Sequence, residues 1–188
     1  MDKQDKIEIE FRSILSKKKY DQLKKFLEQE AEDLGLDDKN VFFFILPDRL
    51  LKVTNNISGS TAKITLKLNK IGRGSDFQEL EFPIAPRDVD KAVRMFKNLG
   101  FNQLQESFQK RHNYKYKGVE IALKWSKVWD YHLELEILIN DLKQKQSAEE
   151  KIKALAKELD IHLMAEEELR KFVQKADQDY QEGKYDKK

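Results

Sequence analysis

Several stretches of this chain place a charge at every second residue, and that spacing confines them to strands. In Ile7-Glu8-Ile9-Glu10-Phe11-Arg12 the apolar and charged residues alternate strictly. Side chains of a strand point to opposite faces in turn, so Ile7, Ile9 and Phe11 share one face and Glu8, Glu10 and Arg12 the other. The design recurs in AKITLKL (Lys63, Thr65, Lys67), in FQELEFPI (Glu79, Glu81) and in YHLELEIL (Glu134, Glu136). Taken singly, each fits a half-buried sheet with a solvated outer face. Two E-x-E pairs at opposite ends of one domain fit better if the sheet closes on itself and the charged faces meet. Carboxylates two residues apart lie about 7 Å apart along a strand. Facing one another inside a barrel they would repel unless cations were present. They could hold one or two hard, oxygen-seeking divalent ions, Mg²⁺ or Mn²⁺. Lys and Arg on the remaining walls would then bind an oxygen-rich anion, and a polyphosphate bridged by metal meets both demands.

The rest of the 188 residues supports a curved antiparallel sheet or barrel with helices, an α+β arrangement. Ser16 is placed to cap a helix whose apolar residues Tyr20, Leu23, Phe26, Leu27 and Leu34 keep helical spacing, with Gly35 as its end. NVFFFIL, RLLKVTN, residues 104–117 and VEIALKW read as further strands, and RDVDKAVRMFKNLG, closed by Gly100, as a second helix. From Asn140 the pattern is helical again, with one stripe at Leu155 and Leu159 and another at Leu169, Phe172, Val173 and Ala176. The expectation is about eight strands, two helices between them and a C-terminal helical pair. One domain spans residues 1–188, with strands over about 6–139 and the C-terminal helices over about 140–182. Those helices could form a lid, a plug or a homodimer contact.

Composition removes several function classes. The chain has 36 Lys plus Arg against 34 Asp plus Glu, a net charge of +2, which argues against a basic nucleic-acid-binding surface. It has no cysteine, which excludes disulfides, thiol nucleophiles and thiolate metal sites. No apolar run approaches the length of a membrane helix and no signal-peptide pattern opens the chain, so the expected setting is cytoplasmic, away from membranes. Among the three histidines only His132 shares the parity of Glu134, as a minor ligand or proton relay. Trp125, Trp129 and Tyr131 read as rim or core packing. SGST and GRGS lack the strand and helix of a phosphate loop.

In order along the chain, these residues resemble the CYTH family, the triphosphate tunnel metalloenzymes named for class IV adenylate cyclases and thiamine triphosphatases. The family's first-strand E-x-E-x-K looks like Glu8-Ile9-Glu10-Phe11-Arg12, with Arg for Lys. Its late E-x-E looks like Glu134-Leu135-Glu136. Its basic strands are matched by Lys52, then by Lys63, Thr65 and Lys67, its acidic strand by Glu79 and Glu81, and its K-x-R-x-x-Y strand by Arg111 within QKRHNY. Two departures stand out. Thr54 sits where a second basic residue is expected, and Lys124 where many members carry Asp, so a metal-associated carboxylate is either missing or replaced by a direct phosphate ligand. Asp130 could substitute only if its loop folds inward.

The resemblance implies an eight-stranded antiparallel β-barrel, a tunnel open at both ends for a triphosphate-containing small molecule, and a requirement for Mg²⁺ or Mn²⁺. It implies metal ligation by Glu8, Glu10, Glu134 and Glu136, and phosphate binding by Arg12, Lys52, Lys63, Lys67, Arg111 and Lys124. Glu79, Glu81, Thr65 and His132 would support them. Three activities are compatible: metal-dependent hydrolysis of inorganic tripolyphosphate or an organic triphosphate, cyclisation of ATP to cyclic AMP, and polyphosphate or nucleotide binding without turnover.

Overall fold

The computed structural model describes residues 7–68 and 76–185. The loop expected in GRGS, and Asn69 on the Lys63–Lys67 face, lie outside the described residues. Strand β1 (Ile7–Ile14) leads into helix α1 (Lys17–Glu30). Five strands follow: β2 (Glu32–Leu36), β3 (Lys39–Ile45), β4 (Leu50–Asn56), β5 (Thr61–Lys67) and β6 (Asp76–Ile84). Helix α2 (Val89–Asn98) precedes β7 (Leu104–Tyr116), β8 (Val119–Ser126) and β9 (Asp130–Ile139), and the chain ends in α3 (Lys145–Glu158) and α4 (Glu166–Gln181).

The antiparallel pairings run in the order β2-β7-β3-β4-β5-β6-β1-β9-β8, and β7 pairs with β8 as well. Eight strands therefore close a circuit. The described strands number nine, because β2 joins β7 beyond the end of β3, at Glu32↔Lys115 to Leu36↔His112. That segment corrects the helix expected to continue to Gly35. Helix α1 stops at Glu30, and the free edge of β7 captures the chain, so Leu34 is exposed instead of joining the helical stripe. Gly35, at φ +91, takes up the register shift of a bulge in β2, a backbone state costly for a residue with a Cβ. The N-terminal cap is as expected: the Ser16 hydroxyl accepts the Lys19 amide at 3.2 Å.

The apolar face of this barrel is its outer one. Ile7, Ile9, Ile121, Leu123, Leu133 and Leu135 on β1, β8 and β9 pack under Leu23 and Leu27 of α1 and Ile152 and Leu155 of α3. Phe44, Leu51 and Val53 of β3 and β4 pack under Val89, Ala92 and Val93 of α2. Helices thus remove these two parts of the outer face from water, while Leu80 and Phe82 of β6 stay exposed, and the period of two directs the charged residues inward.

Candidate functional site

Register brings the inward charges together. Glu10 on β1 lies directly opposite Glu136 on β9, which lies opposite Glu120 on β8, so three carboxylates share one row of the wall. Next along β1, Arg12 faces Glu134. Beyond it His132, Lys124 and Arg111 stand side by side on β9, β8 and β7. On the opposite arc Lys67 pairs with Glu79 and Lys52 with Thr65. Glu8, Glu10, Arg12, Lys52, Lys63, Lys67, Glu79, Arg111, Lys124, His132, Glu134 and Glu136 line one cavity of about 330 Å³.

Two hubs organise these charges. The Lys67 ammonium reaches three carboxylates, Glu79 at 2.6 Å, Glu8 at 3.0 Å and Glu10 at 3.4 Å. The Glu134 carboxylate collects three cations, Lys124 at 2.9 Å, Arg12 at 3.1 Å and Arg111 at 3.3 Å. Arg12 also pairs with Glu10 and so links the hubs. Burial opposes the charge on Glu134, but Lys124, Arg12 and Arg111 outweigh it and hold the carboxyl well below its usual range. Burial likewise opposes Lys67, and Glu10, Glu8 and Glu79 overcome it, raising its pKa. Glu79 is drawn down to about 2, against burial, by Lys52 and Lys67.

Other groups are left strained. Burial, then Glu8 and Glu10, push Glu136 up to about 8, and no ion pair among the described residues relieves it. Glu8 is raised by burial, Glu79 and Glu10 in spite of Lys67. Lys52 falls to about 8 through burial and the neighbouring Lys67. Lys124 also falls to about 8, because burial and the crowding by Arg111 and Arg12 exceed what Glu134 returns. His132 is lowered to about 3 by burial and Lys124, and its Nδ1–H donates to the Asp130 carbonyl at 2.8 Å. It is therefore held as the neutral imidazole near pH 7, with Nδ1 engaged.

Two expected supporting residues stand apart. Thr65 is buried but outside the cavity lining, and Glu81 bonds Lys63 and Thr65 at a half-exposed position. Asp130 does not fold inward. It is exposed and accepts the Trp125 indole N–H at 3.0 Å. Lys110 lies over the Trp125 ring, outside the cavity, which leaves Arg111 as the inward basic residue of its strand.

The structure adds residues that alternation did not mark. Asp37 pairs with Lys39 at 2.6 Å and with Arg111 at 3.4 Å, and Asn113 bonds both Arg111 and Asp37. Glu120 was legible in principle, because VEIALK carries Glu120 and Lys124 at the right parity. The cavity also has a mainly apolar end, at Phe43, Ile45, Leu46 and Leu50 of the β3–β4 hairpin, which also contributes Arg49 to the lining. Helix α4 contributes Val173 and Asp177 to the lining and packs Phe172 on Trp129, ring centroids 5.0 Å apart.

Among the described residues no group of three Asp, Glu or His side chains forms a ready-made metal cage, since Glu8 and Glu10 turn to Lys67. Glu8, Glu10 and Glu136 are nevertheless hard oxygen donors on adjacent strands. Like charges placed directly opposite, as Glu10 and Glu136 are, destabilise a sheet. A divalent cation there would relieve that repulsion, so the donor set suits Mg²⁺ or Mn²⁺.

A closed circuit of antiparallel strands with a charged interior and an apolar exterior defines a triphosphate-tunnel fold. The sequence profile of the CYTH domain matches residues 6–173, and the chain belongs to that family. No curated protein matches it. Among solved structures it is similar to the PH1012 protein of Pyrococcus horikoshii OT3, with 24% identity, a TM-score of 0.69, and 86% of this chain and 99% of that one covered. A candidate adenylate cyclase from Vibrio parahaemolyticus gives 16% identity and a TM-score of 0.65 over 91% of this chain and 99% of that one. HpAC1 from Hippeastrum, a candidate adenylyl cyclase described as having a dominant triphosphatase activity, gives 16% identity and a TM-score of 0.58 over 84% and 89%. At these identities the likeness shows the fold. No helix among the described residues is long and apolar enough to cross a membrane.

Proposed function

We propose that the chain is a hydrolase that cleaves a phosphoanhydride bond of a triphosphate held in the barrel, with Mg²⁺ or Mn²⁺ at Glu8, Glu10 and Glu136. The observation that carries this reading is one cavity in which Glu136, raised by burial and by Glu8 and Glu10, has no ion pair among the described residues, while basic residues crowd the same wall. The carboxylates need a cation, and the cations need an anion. Lys52, which makes no ion pair among the described residues and feels Glu79 and Glu8 only at longer range, is the first group a phosphate would satisfy. Lys63, Lys67, Arg12, Arg111 and Lys124 line the same cavity and would spread the charge of the three phosphoryl groups.

A bound metal would polarise a phosphoryl oxygen and favour attack by water. In the net step a water oxygen bonds to the terminal phosphorus and the bridging P–O bond breaks. The leaving oxygen keeps the electron pair, and one water proton passes to solvent. The basic residues stabilise the charge that builds on the leaving oxygens. Hydrolysis needs nothing further from the wall, whereas cyclisation of ATP also needs groups that fix a ribose hydroxyl against the α-phosphate.

The apolar end at Phe43, Ile45, Leu46 and Leu50 favours a substrate with an organic substituent, since an inorganic chain would leave that surface uncovered. The test is phosphate release from tripolyphosphate, ATP and thiamine triphosphate with Mg²⁺, Mn²⁺ or EDTA, with cyclic AMP assayed in the ATP reactions. Metal-dependent release that disappears in Glu8→Gln/Glu136→Gln is expected. Cyclic AMP as the main product, or binding with no turnover, would replace the hydrolase reading.

A further inference from the structure

On the hydrolase reading, we propose that Lys124 occupies the role of a second metal ion, so that this barrel holds one divalent cation, at the carboxylates of Glu8, Glu10 and Glu136, and a built-in ammonium at Glu134.

The argument starts from how the carboxylates are already partnered. Glu134 is buried, and cations reach both its oxygens: Lys124 at 2.9 Å and Arg12 at 3.1 Å on Oε1, and Arg111 at 3.3 Å on Oε2. A divalent ion approaching Glu134 would meet three positive groups in a water-poor wall, where repulsion is screened least. Its two oxygens would also have to give up charge-assisted hydrogen bonds, the stronger kind. Glu136, two residues away on the same strand and face, has no ion pair among the described residues, Glu8 and Glu10 share Lys67 with Glu79, and Glu10 also pairs with Arg12. Demand for a cation is thus confined to one end of the row.

Charge balance points the same way. Among the described residues lining the cavity, eight are acidic and eight basic, Lys124 included. A carboxylate at position 124 would lower that sum by two, which is the charge of one divalent ion. Lys124 is held to the site from β8 by its register with His132 on β9 and Arg111 on β7, so the ammonium is a fixed part of the wall. With substrate bound it would contact phosphate oxygens as a point charge, as a lysine does.

The experiment counts metal. Wild-type protein is titrated with Mn²⁺, alone and with diimidotriphosphate, whose bridging nitrogens resist hydrolysis, and bound Mn²⁺ is read by EPR and by calorimetry. One Mn²⁺ per chain with an isolated six-line spectrum is expected, and two per chain with a spin-coupled spectrum in Lys124→Asp. Lys124→Met should still bind one Mn²⁺ and lose at least tenfold in affinity for the analogue. Two ions in the wild type or in Lys124→Met would overturn the inference and leave the hydrolase reading standing. So would a single ion in a folded Lys124→Asp. Failure of the wild type to retain either Mn²⁺ or the analogue would overturn both.

Discussion

Among the wall residues Lys52 bears the clearest conflict between stability and binding. It is half-buried in the cavity wall, has no ion pair among the described residues and is pushed down to about 8 by desolvation and Lys67, against the pull of Glu79 and Glu8. A desolvated, unpaired charge costs free energy. Lys52→Met keeps the length of the side chain and removes that charge. It should raise the melting temperature of the unliganded protein while weakening triphosphate binding by about 1.5–3 kcal/mol, the scale of a hydrogen bond to a charged group. Thermal melts and calorimetry check both halves, and a variant that lost stability and kept affinity would contradict the assignment.

Glu134 and Glu136 form a second contrast at this scale. Glu134→Gln takes from Lys124 its ion-pair partner and from Arg12 and Arg111 one of theirs, and should cost about 3–5 kcal/mol, as breaking a buried ion pair does. Glu136→Gln removes a carboxyl raised by burial and by its acidic neighbours and should stabilise the metal-free protein. Urea denaturation of the two variants in EDTA separates them, and shifts of the same sign would refute the account of the hubs.

At the scale of elements, α4 is attached by little. Leu169 and Val173 join Met164 in a small buried cluster, covered by Phe172 and by Trp129 from the turn before β9, apart from the two larger cores. The Tyr180 hydroxyl adds one tie, accepting the Glu106 amide at 3.0 Å. Weakly held units open locally without global unfolding. Trp129→Ala should therefore speed amide exchange across 166–181 while the strands keep their protection; a parallel loss of protection in β1 and β9 would show that α4 is integral to the barrel.

The sequence revealed these elements unevenly, for physical reasons. The inward strands were legible because a period of two fixes which residues share a face, and Glu8, Glu10, Arg12, Lys63, Lys67, Glu79, Glu134 and Glu136 all line the cavity. The short β2 was not, because Leu34 continues a helical spacing and only the open edge of β7, a tertiary feature, makes Glu32–Leu36 a strand. Asp37 and Lys39 were hidden for the same reason, since they lie at the junction of β2 and β3. The triple pairing of Glu134 depends on β1, β7, β8 and β9 meeting in register, which alternation within any one strand does not encode.

At the scale of the whole molecule, the barrel inverts the usual placement of charge, and its stability becomes linked to pH and metal together. Ordinary carboxyls ionise near 4.5, whereas Glu136 in the folded, metal-free barrel is held at about 8. Between those values the unfolded chain releases a proton that the folded chain keeps, so this group's contribution to stability is present below about 4.5 and lost as pH rises towards 8. His132, lowered to about 3, works in the opposite direction, but only up to the ordinary histidine value of 6.5. Lys52 and Lys124, lowered to about 8, act only above that pH. Between 6.5 and about 7.5 the acidic row therefore dominates the slope. In EDTA the melting temperature should fall across that interval, and Glu136→Gln should flatten the fall. A bound divalent ion keeps the carboxylates ionised, so near pH 7 its uptake should release about one proton, and Mn²⁺ should raise the melting temperature more at pH 8 than at pH 6.5. Melts at both pH values and calorimetry in buffers of different ionisation enthalpy measure these quantities. Equal Mn²⁺ stabilisation at the two pH values, with no proton released, would remove Glu136 from the metal site.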